Sequence, residues 1–312
     1  MNEQAVQVKV GTRESRLAMW QTEWVATQLA ALHPGKRFEY RRIKTQGDKI
    51  LDSPLAKIGD RGLFVKEIEE ALLSHEIDLA VHSMKDVPTE LPAPLGIVAV
   101  SRREDPRDCL LSRKHASFAA LPHGAKLGTS SLRRVAQLKA IRPDLECVPI
   151  RGNLDTRVGK LDSLALDGIV LAAAGLNRLG GWAELVVERL SPDLCLPAVG
   201  QGALGIEARR DDDEVASLVA PLHDPVTAAC VTAERALLRA LEGGCQVPIG
   251  ALAVEEGGQL WLRGVVADLA GERVIRGERR GAPAQADELG RDLGEELLRR
   301  GGQAILAAIR GW

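Results

Sequence analysis

The 312-residue sequence predicts an α/β protein with two units of the same architecture, followed by a small α+β domain. Short apolar strands alternate with amphipathic helices over the first hundred residues and again from about residue 105. After Thr227 the pattern changes to a helix and three hairpin-like strands with glycine-rich turns. A chain of this length is expected to form two or three domains, and domains that meet form clefts.

The first unit alternates strands and helices, with predicted strands at 6–11, 38–45 and 77–83 and helices at 15–32 and 63–75. The segment 46–62 is rich in Gly and Asp and is predicted to be a loop. The stretch MKDVPTELPAP contains three prolines, which predict that regular structure ends there.

The second unit begins near Asp105 and repeats the alternation. The predicted order is a strand, turn and helix within 125–143, the strand ECVPIRG, a helix at 153–162 and the buried strand DGIVLAAAGL. The segment 196–210 contains one more strand, which is too short to stand alone. We therefore expect it to return and pair with the first unit.

The last domain begins with the helix AACVTAERALLRALEGG. Its predicted strands cover 250–255, 259–267 and 273–279, and a final helix covers 284–300. The sequence therefore predicts a three-stranded antiparallel sheet with helices.

Composition excludes several function classes. The 45% hydrophobic and 27% charged residues are typical of soluble proteins, and no apolar tract is long enough to span a membrane. The N-terminus shows neither a secretory signal nor a transit peptide, so we expect a cytoplasmic protein. A net charge of −2 and only 3% aromatic residues argue against nucleic acid as a partner.

The five cysteines are odd in number, widely spaced and never in a CxxC pattern. This spacing excludes a disulfide framework and a cysteine-built zinc site, so each is predicted to be a free thiol. The six histidines show no paired-ligand spacing, and we expect no metal.

Arginine outnumbers lysine 30 to 11, and several arginines follow predicted strands. Codon usage alone can produce such an excess, so only the positions of the arginines can indicate a binding site. The strand-end segments are GTRES with Arg13 and Ser15, GTSSLRR with Thr129, Ser131, Arg133 and Arg134, RGNLDTR with Arg151, Gly152 and Arg157, and AGLNR with Arg178. Ligands of open α/β sheets bind at the carboxyl ends of strands, and helix starts there attract anions. The pattern predicts a receptor for a small polycarboxylate or phosphorylated ligand, and the absence of GxxxxGK[ST] argues against nucleoside triphosphates.

The segment VHSMKDVP places Ser83, Lys85 and Asp86 at the end of an apolar strand. Lys85 and Asp86 can form an exposed ion pair of little energetic value. Among arginines, however, Asp86 would stay ionised and could stabilise a developing cation. His82 is a candidate general base, although a histidine within an apolar strand is more often a hydrogen-bonded core residue.

Cys245 lies in the loop LEGGCQVPIG, behind two glycines. A free cysteine is most often a small buried hydrophobe. The glycines would also let a ligand approach closely, so Cys245 could be a nucleophile or an attachment point.

Nine segments in order resemble the porphobilinogen deaminase family, from about Val8 to near the C-terminus: GTRESRLA, DSPLAKIGDRGLFVKEIE, VHSMKDVP, REDPRD, GTSSLRR, RGNLDTR, AAAGLNRLG, LPAVGQGALGIE and EGGCQVPIG. The resemblance implies two lobes with the fold of periplasmic binding proteins and a third, small α+β domain. It also implies the joining of four porphobilinogen molecules with loss of ammonia, on a covalent dipyrromethane cofactor, and the hydrolytic release of hydroxymethylbilane.

The resemblance implies three domains: 1–101 plus 198–220 with the catalytic aspartate, 105–197 with the arginines, and 224–312 with the cofactor cysteine. By position, Cys245 is the thioether anchor and Asp86 the catalytic residue. The implied cofactor-binding and substrate-binding residues are Arg13, Ser15, Lys57, Phe64, Ser83, Lys85, Thr129, Ser131, Arg133, Arg134, Arg151, Gly152, Arg157, Arg178 and Gln201.

One departure is visible: Arg61 stands where many bacterial relatives have lysine, so a role that requires an amine is in doubt there. The resemblance implies a monomer that acts on porphobilinogen. Two alternatives stay open at this point. One is an anion-binding protein without catalysis, and the other is a cysteine hydrolase built on Cys245, which nothing in the spacing supports.

Overall fold

The computed structural model describes residues 6–49, 65–242 and 247–311. These residues form two compact units. The first contains the described residues up to Arg103 together with 203–228, and the second contains 104–202 together with the described residues from 229 onward. The proposed division into three domains stays a prediction.

The first unit is built around a five-stranded sheet. Its strands are β1 (Val6–Thr12), β2 (Lys36–Arg42), β3 (Leu79–Ser83), β4 (Leu95–Val100) and β10 (Leu204–Arg209), in the order β2-β1-β3-β10-β4. β1 runs parallel to β2 and β3, whereas β10 is antiparallel to β3 and β4. The chain therefore returns to this sheet after a hundred residues, in agreement with the interpretation of segment 196–210.

Helices accompany this sheet at α1 (Arg16–Leu32), α2 (Gln46–Lys49), α3 (Lys66–Leu73) and α7 (Asp213–Val219). Val10, Val25 and Leu29 are fully buried where α1 packs on the sheet. α1 begins where the sequence predicts, because the Ser15 Oγ accepts a hydrogen bond from the Ala18 amide at 3.3 Å.

The second unit contains another five-stranded sheet, with the order β7-β6-β8-β5-β9. Its strands are β5 (Asp108–Ser112), β6 (Lys126–Gly128), β7 (Glu146–Val148), β8 (Gly168–Ala172) and β9 (Val186–Arg189). The helices α4 (Leu132–Ile141), α5 (Leu154–Ser163) and α6 (Ala173–Leu179) follow β6, β7 and β8. Three parallel strands again adjoin an antiparallel fourth, so the predicted second copy of the architecture is confirmed.

The second unit also contains the predicted three-stranded antiparallel sheet, formed by β11 (Ile249–Glu256), β12 (Gln259–Ala267) and β13 (Val274–Gly281). Gly257 and Gly258 join β11 to β12 with φ of 61° and 83°. Two successive positive φ angles define the tight hairpin turn that the EEGG segment predicts. The helices α8 (Pro225–Ala240), α9 (Ala286–Leu297) and α10 (Gln303–Arg310) complete the described elements.

Three strands were not predicted, β4, β5 and β9. The expectation that the prolines end regular structure in MKDVPTELPAP is confirmed apart from a single 3-10 turn at Met84–Asp86, and β4 starts directly after Pro94. A proline ends the strand or helix in which it would lie but leaves the next residues free to form a strand. β5 was missed because its sequence DCLLS has neither alternation nor a flanking glycine.

Within the described residues, no single helix has the length and hydropathy of a membrane span, and one bent pair, Asp213–Leu222 with Pro225–Ala240, passes such a test by length and composition only.

Gly290 allows α9 to pack directly on the helix Pro225–Ala240. A Cβ at this position would lie 2.1 Å from the Ala233 carbonyl oxygen, so Gly290→Ala must push the two helices apart. We expect it to destabilise the protein by about 1–3 kcal/mol, measured as a lower melting temperature. Gly159→Ala, in an exposed helical position where the new methyl meets nothing, is the control and is expected to stabilise by about 0.5–1 kcal/mol. Equal melting temperatures for the two variants would contradict this account of the packing.

Candidate active site

The first unit places Asp86 in the single turn that follows β3. Met84 and Val87 are buried on either side of it, and the Met84 amide donates to the Ala203 carbonyl at 3.0 Å. Lys85 and Asp86 are only half-buried. Buried apolar neighbours therefore fix the backbone of a turn whose two charged residues remain accessible.

Ser83 lies at the end of β3, where its Oγ accepts a hydrogen bond from Nε2 of the buried Gln21 at 3.0 Å. Arg13 and Ser15 follow β1, which is parallel to β3 and adjacent to it. The carboxyl ends of adjacent parallel strands lie at one edge of a sheet. The sequence-predicted residues Arg13, Ser15, Ser83 and Asp86 thus belong to the same edge of the first sheet.

His82 is a buried core residue, with 5% of its surface exposed. Its Nε2 lies 2.8 Å from Oε2 of the fully buried Glu207, with the two groups out of hydrogen-bond alignment. The interpretation of His82 as a core residue is confirmed by its burial, but its Nε2 faces a carboxylate without forming a hydrogen bond.

In the second unit, the remaining described candidates except Gln201 follow the three parallel strands β6, β7 and β8. Thr129 and Ser131 lie between β6 and α4, and the Thr129 Oγ1 accepts a hydrogen bond from the Ser131 amide at 3.2 Å. Arg133 and Arg134 lie in the first turn of α4, as predicted, but each is only 6% exposed.

Both of these arginines contact one carboxylate, that of Asp108 at the start of β5. Arg133 Nη1 and Arg134 Nη2 each donate to a different Asp108 oxygen at 2.7 Å. Burial disfavours the charged form of Asp108, but the two guanidinium groups outweigh burial and hold its pKa well below the usual range. In the described structure, Arg133 and Arg134 therefore bind the carboxylate of Asp108, an anion that belongs to the chain itself.

Arg151 and Gly152 lie between β7 and α5, and Arg157 lies in the first turn of α5. Gly152 has a φ of 108°, which favours glycine, and its carbonyl accepts a hydrogen bond from Arg157 Nε at 2.8 Å. Asn153 caps α5 by accepting from the Thr156 amide at 2.9 Å. The turn and the start of α5 thus hold two half-buried arginines, Arg151 and Arg157.

Arg178 follows β8 within α6 and donates from Nη2 to the Gly202 carbonyl at 2.8 Å. Burial lowers the pKa of its guanidinium to about 10, partly offset by the negative charge of Glu104. Gln201 is 1% exposed and donates to the Pro106 carbonyl at 2.8 Å and to Asp108 at 2.9 Å. Arg178 therefore contacts the stretch 200–202 that leads into β10, and Gln201 in that stretch contacts Pro106 and Asp108.

The residue that holds this stretch was not singled out from the sequence. Glu234, on α8, is fully buried and accepts hydrogen bonds from the Gly200 amide at 2.7 Å and the Ala253 amide at 2.8 Å. Asp108 was also missed as a functional candidate, although it ends the quoted REDPRD segment. The only sequence signal for either one is an acidic residue among apolar neighbours.

Four thiols are described: Cys109, Cys147, Cys195 and Cys230. All four are free, as predicted. Burial raises the pKa of Cys109 and of Cys195 to about 12, and burial also raises that of Cys147. These three groups are therefore held as unreactive thiols at neutral pH.

Four residues of interest lie outside the described residues: Lys57, Arg61, Phe64 and Cys245. Among residues 6–49, 65–242 and 247–311, no three His, Cys, Asp or Glu side chains are grouped so that they could hold a metal ion.

Solved structures with a related arrangement include two periplasmic binding proteins. The aliphatic sulphonate binding protein SsuA from Escherichia coli is 16% identical, has a TM-score of 0.41 and matches 76% of this chain and 70% of its own. The Salmonella typhimurium protein STM4351 is 17% identical, has a TM-score of 0.40 and matches 72% and 94%. Similarity at this level carries no argument about what this chain does.

Sequence relatives are much more similar. The profile of "porphobilinogen deaminase, dipyromethane cofactor binding domain" matches residues 8–217, and that of "porphobilinogen deaminase, C-terminal domain" matches 228–299. The porphobilinogen deaminase of Carboxydothermus hydrogenoformans is 53% identical over 304 residues, which is 97% of each chain. That of Syntrophobacter fumaroxidans is 55% identical over 302 residues, again 97% of each. By these matches, which extend over nearly the whole length, the chain belongs to the porphobilinogen deaminase family.

Proposed function

We propose an assignment of residues to the family reaction in which Asp86 is the catalytic residue and Cys245 the cofactor anchor. The chain is a porphobilinogen deaminase, a transferase of porphyrin biosynthesis with a dipyrromethane cofactor. The reaction joins four porphobilinogen molecules head to tail, releases one ammonia from each and ends with hydrolytic release of hydroxymethylbilane.

The observation that carries the assignment is the position of the charged residues at strand ends. Arg13 and Asp86 follow neighbouring parallel strands of the first sheet, and the other candidate arginines follow neighbouring parallel strands of the second. Within each sheet, side chains distant in sequence therefore share one edge, where ligands of open α/β sheets bind.

Asp86 is assigned to the charge that develops on the substrate. When the C–N bond of the porphobilinogen aminomethyl group breaks, ammonia leaves with the bonding electrons and the pyrrole becomes cationic. A carboxylate about 4 Å away, at an effective dielectric of about 20, favours that cation by about 4 kcal/mol. The half-buried position of Asp86 in a turn anchored by Met84 supports this role.

The donor set of the chain fits dipyrromethane, whose two pyrroles each carry an acetate and a propionate. Guanidinium and hydroxyl groups are the donors that carboxylates prefer. Arg134 Nε is buried and has no acceptor among the described residues. We assign the binding of dipyrromethane to Arg133, Arg134 and Ser131, together with the other candidates at the strand ends. When bound, dipyrromethane supplies the pyrrole carbon from which the chain is extended.

We further propose that the chain acts in the cytoplasm as a monomer and that its parts correspond to three domains, 1–101 with 198–220, 105–197 and 224–312. The N-terminal sequence, which shows no targeting pattern, supports the location. The second sheet and the three-stranded sheet have separate hydrophobic clusters, which supports two domains after Asp105.

The attachment of the cofactor is tested by the mass of the intact protein. We expect the purified chain to exceed its sequence mass by one dipyrromethane and Cys245→Ser to have the unmodified mass, because only a thiol at the anchor forms the thioether. Cys147→Ser, which removes a half-buried thiol, is the control and is expected to keep the added mass. An unmodified mass in a folded wild-type protein that releases no ammonia would favour the anion-binding alternative.

The role of Asp86 is tested by Asp86→Ala. We expect ammonia release from porphobilinogen to fall by about 10²–10³-fold, because the variant loses charge stabilisation in the transition state. The melting temperature is expected to change little, since Asp86 lies on an accessible turn. Glu90→Ala, four residues away on an exposed position, is the matched control and should keep normal turnover. Normal turnover by Asp86→Ala would remove the role assigned here.

A further inference from the structure

The second unit contains one fully buried carboxylate on which several proposed ligand-binding side chains converge. Asp108 Oδ1 accepts hydrogen bonds from Arg134 Nη2 at 2.7 Å and from Gln201 Nε2 at 2.9 Å. Its Oδ2 accepts from Arg133 Nη1 at 2.7 Å and is 3.5 Å from the Cys195 Sγ. Three side chains from two distant segments therefore share a single acceptor group.

Asp108 is itself held rigidly. It is the first residue of β5, pairs with Ala172 of β8, and its carbonyl accepts a hydrogen bond from the Leu190 amide at 2.9 Å. β5 lies between β8 and β9 within the sheet, so the carboxylate starts from a backbone fixed on both sides. A rigid backbone with a short side chain gives the carboxylate little freedom to follow the groups bound to it.

The two guanidinium groups are bound in different ways. The hydrogen bonds of Arg133 all use Nη1, which also donates to the Leu196 carbonyl at 2.6 Å. Arg134 uses Nη2 for Asp108 and Nη1 for the Val170 carbonyl at 2.8 Å. A planar guanidinium that is fixed at one terminal nitrogen by two acceptors is also fixed in orientation. The second terminal nitrogen of Arg133 then has a defined direction.

The same contacts also have an electrostatic effect. Two buried cations face one buried anion, so neither arginine is neutralised fully by the protein. A partly neutralised pair retains attraction for a further carboxylate, whereas the orientation fixed by Asp108 decides where that carboxylate must lie.

We propose that Asp108 is a positioning residue of this enzyme: it touches no ligand, and it sets Arg133, Arg134 and Gln201 in the orientation in which they receive the carboxylates of the cofactor and substrate. The proposal rests on the proposed function, which assigns Arg133 and Arg134 to ligand binding, and on the family resemblance, which implies the same for Gln201. It differs from a purely structural role, in which Asp108 would only neutralise buried positive charge.

Two variants separate these roles. Asp108→Asn removes the charge, so both roles are lost. Asp108→Glu keeps the charge but moves it by one methylene, about 1.5 Å. Charge neutralisation survives such a shift, whereas the orientation of the guanidinium groups does not. Asp162→Asn is the control, because Asp162 forms an exposed bidentate pair with Arg113, at 2.8 and 3.0 Å, in the same unit.

The experiment measures three quantities for each purified protein: melting temperature, dipyrromethane occupancy by intact mass, and kcat and KM for porphobilinogen. We expect Asp108→Asn to lose both stability and occupancy. We expect Asp108→Glu to recover most of the melting temperature while its occupancy falls, or its KM rises, by about 10-fold or more, as a displacement near 1 Å can cost up to about 100-fold. Asp162→Asn should match the wild type.

Wild-type occupancy and KM in Asp108→Glu would overturn the proposal, and so would full occupancy with unchanged KM in Asp108→Asn. If Asp108→Asn does not fold, the Asp108→Glu result decides alone. A wild-type protein without added mass and without ammonia release would instead refute the proposed function, so the two failures are distinguishable.

Discussion

The second α/β sheet is organised around a buried charge cluster that has to be balanced internally. Arg133 and Arg134 lie in the first turn of α4, where a cation is opposed by the helix dipole, and both are removed from water. Among residues 6–49, 65–242 and 247–311, the carboxylate of Asp108 is the single acidic group bonded to them, and it makes that arrangement stable. Gln137, one turn further along α4, binds both the amide and the carbonyl of Leu196. The polar face of α4 thereby connects the sheet to the segment that leads towards β10.

The two α/β sheets use the same arrangement to bring arginines together at one edge. A ligand with several carboxylates needs several cations to bind it. Parallel strands bring residues from distant segments to one edge, while each arginine keeps its own loop and its own backbone contacts. Arg157 is held by the Gly152 carbonyl and Arg178 by the Gly202 carbonyl, so each guanidinium has a fixed starting position.

Much of the fold could be predicted from the sequence, because local signals and tertiary contacts agree there. Ser15 caps α1, and the glycine pair 257–258 turns the hairpin. β4, β5 and β9 could not be predicted, since they are short and are distinguished from loop sequence only by their partners in the sheet. The same limit applies to the site. Periodicity and strand ends locate the arginines, but the bond from Arg133 to Asp108 spans 25 residues and depends on the strand order. Whether a charged side chain faces solvent, ligand or another buried charge is decided by topology.

The position of β10 has a consequence for how the chain can fold as it is made. β10 lies between β3 and β4, although it follows them by a hundred residues. Until residue 209 has left the ribosome, neither strand has its central neighbour, and the turn that bears Asp86 lacks the Ala203 carbonyl to which the Met84 amide donates. The second α/β sheet, by contrast, is encoded without interruption between residues 108 and 189 and can form earlier. Vectorial synthesis therefore favours an order in which the middle of the chain is structured before its beginning, and the turn that bears Asp86 is among the last features to form.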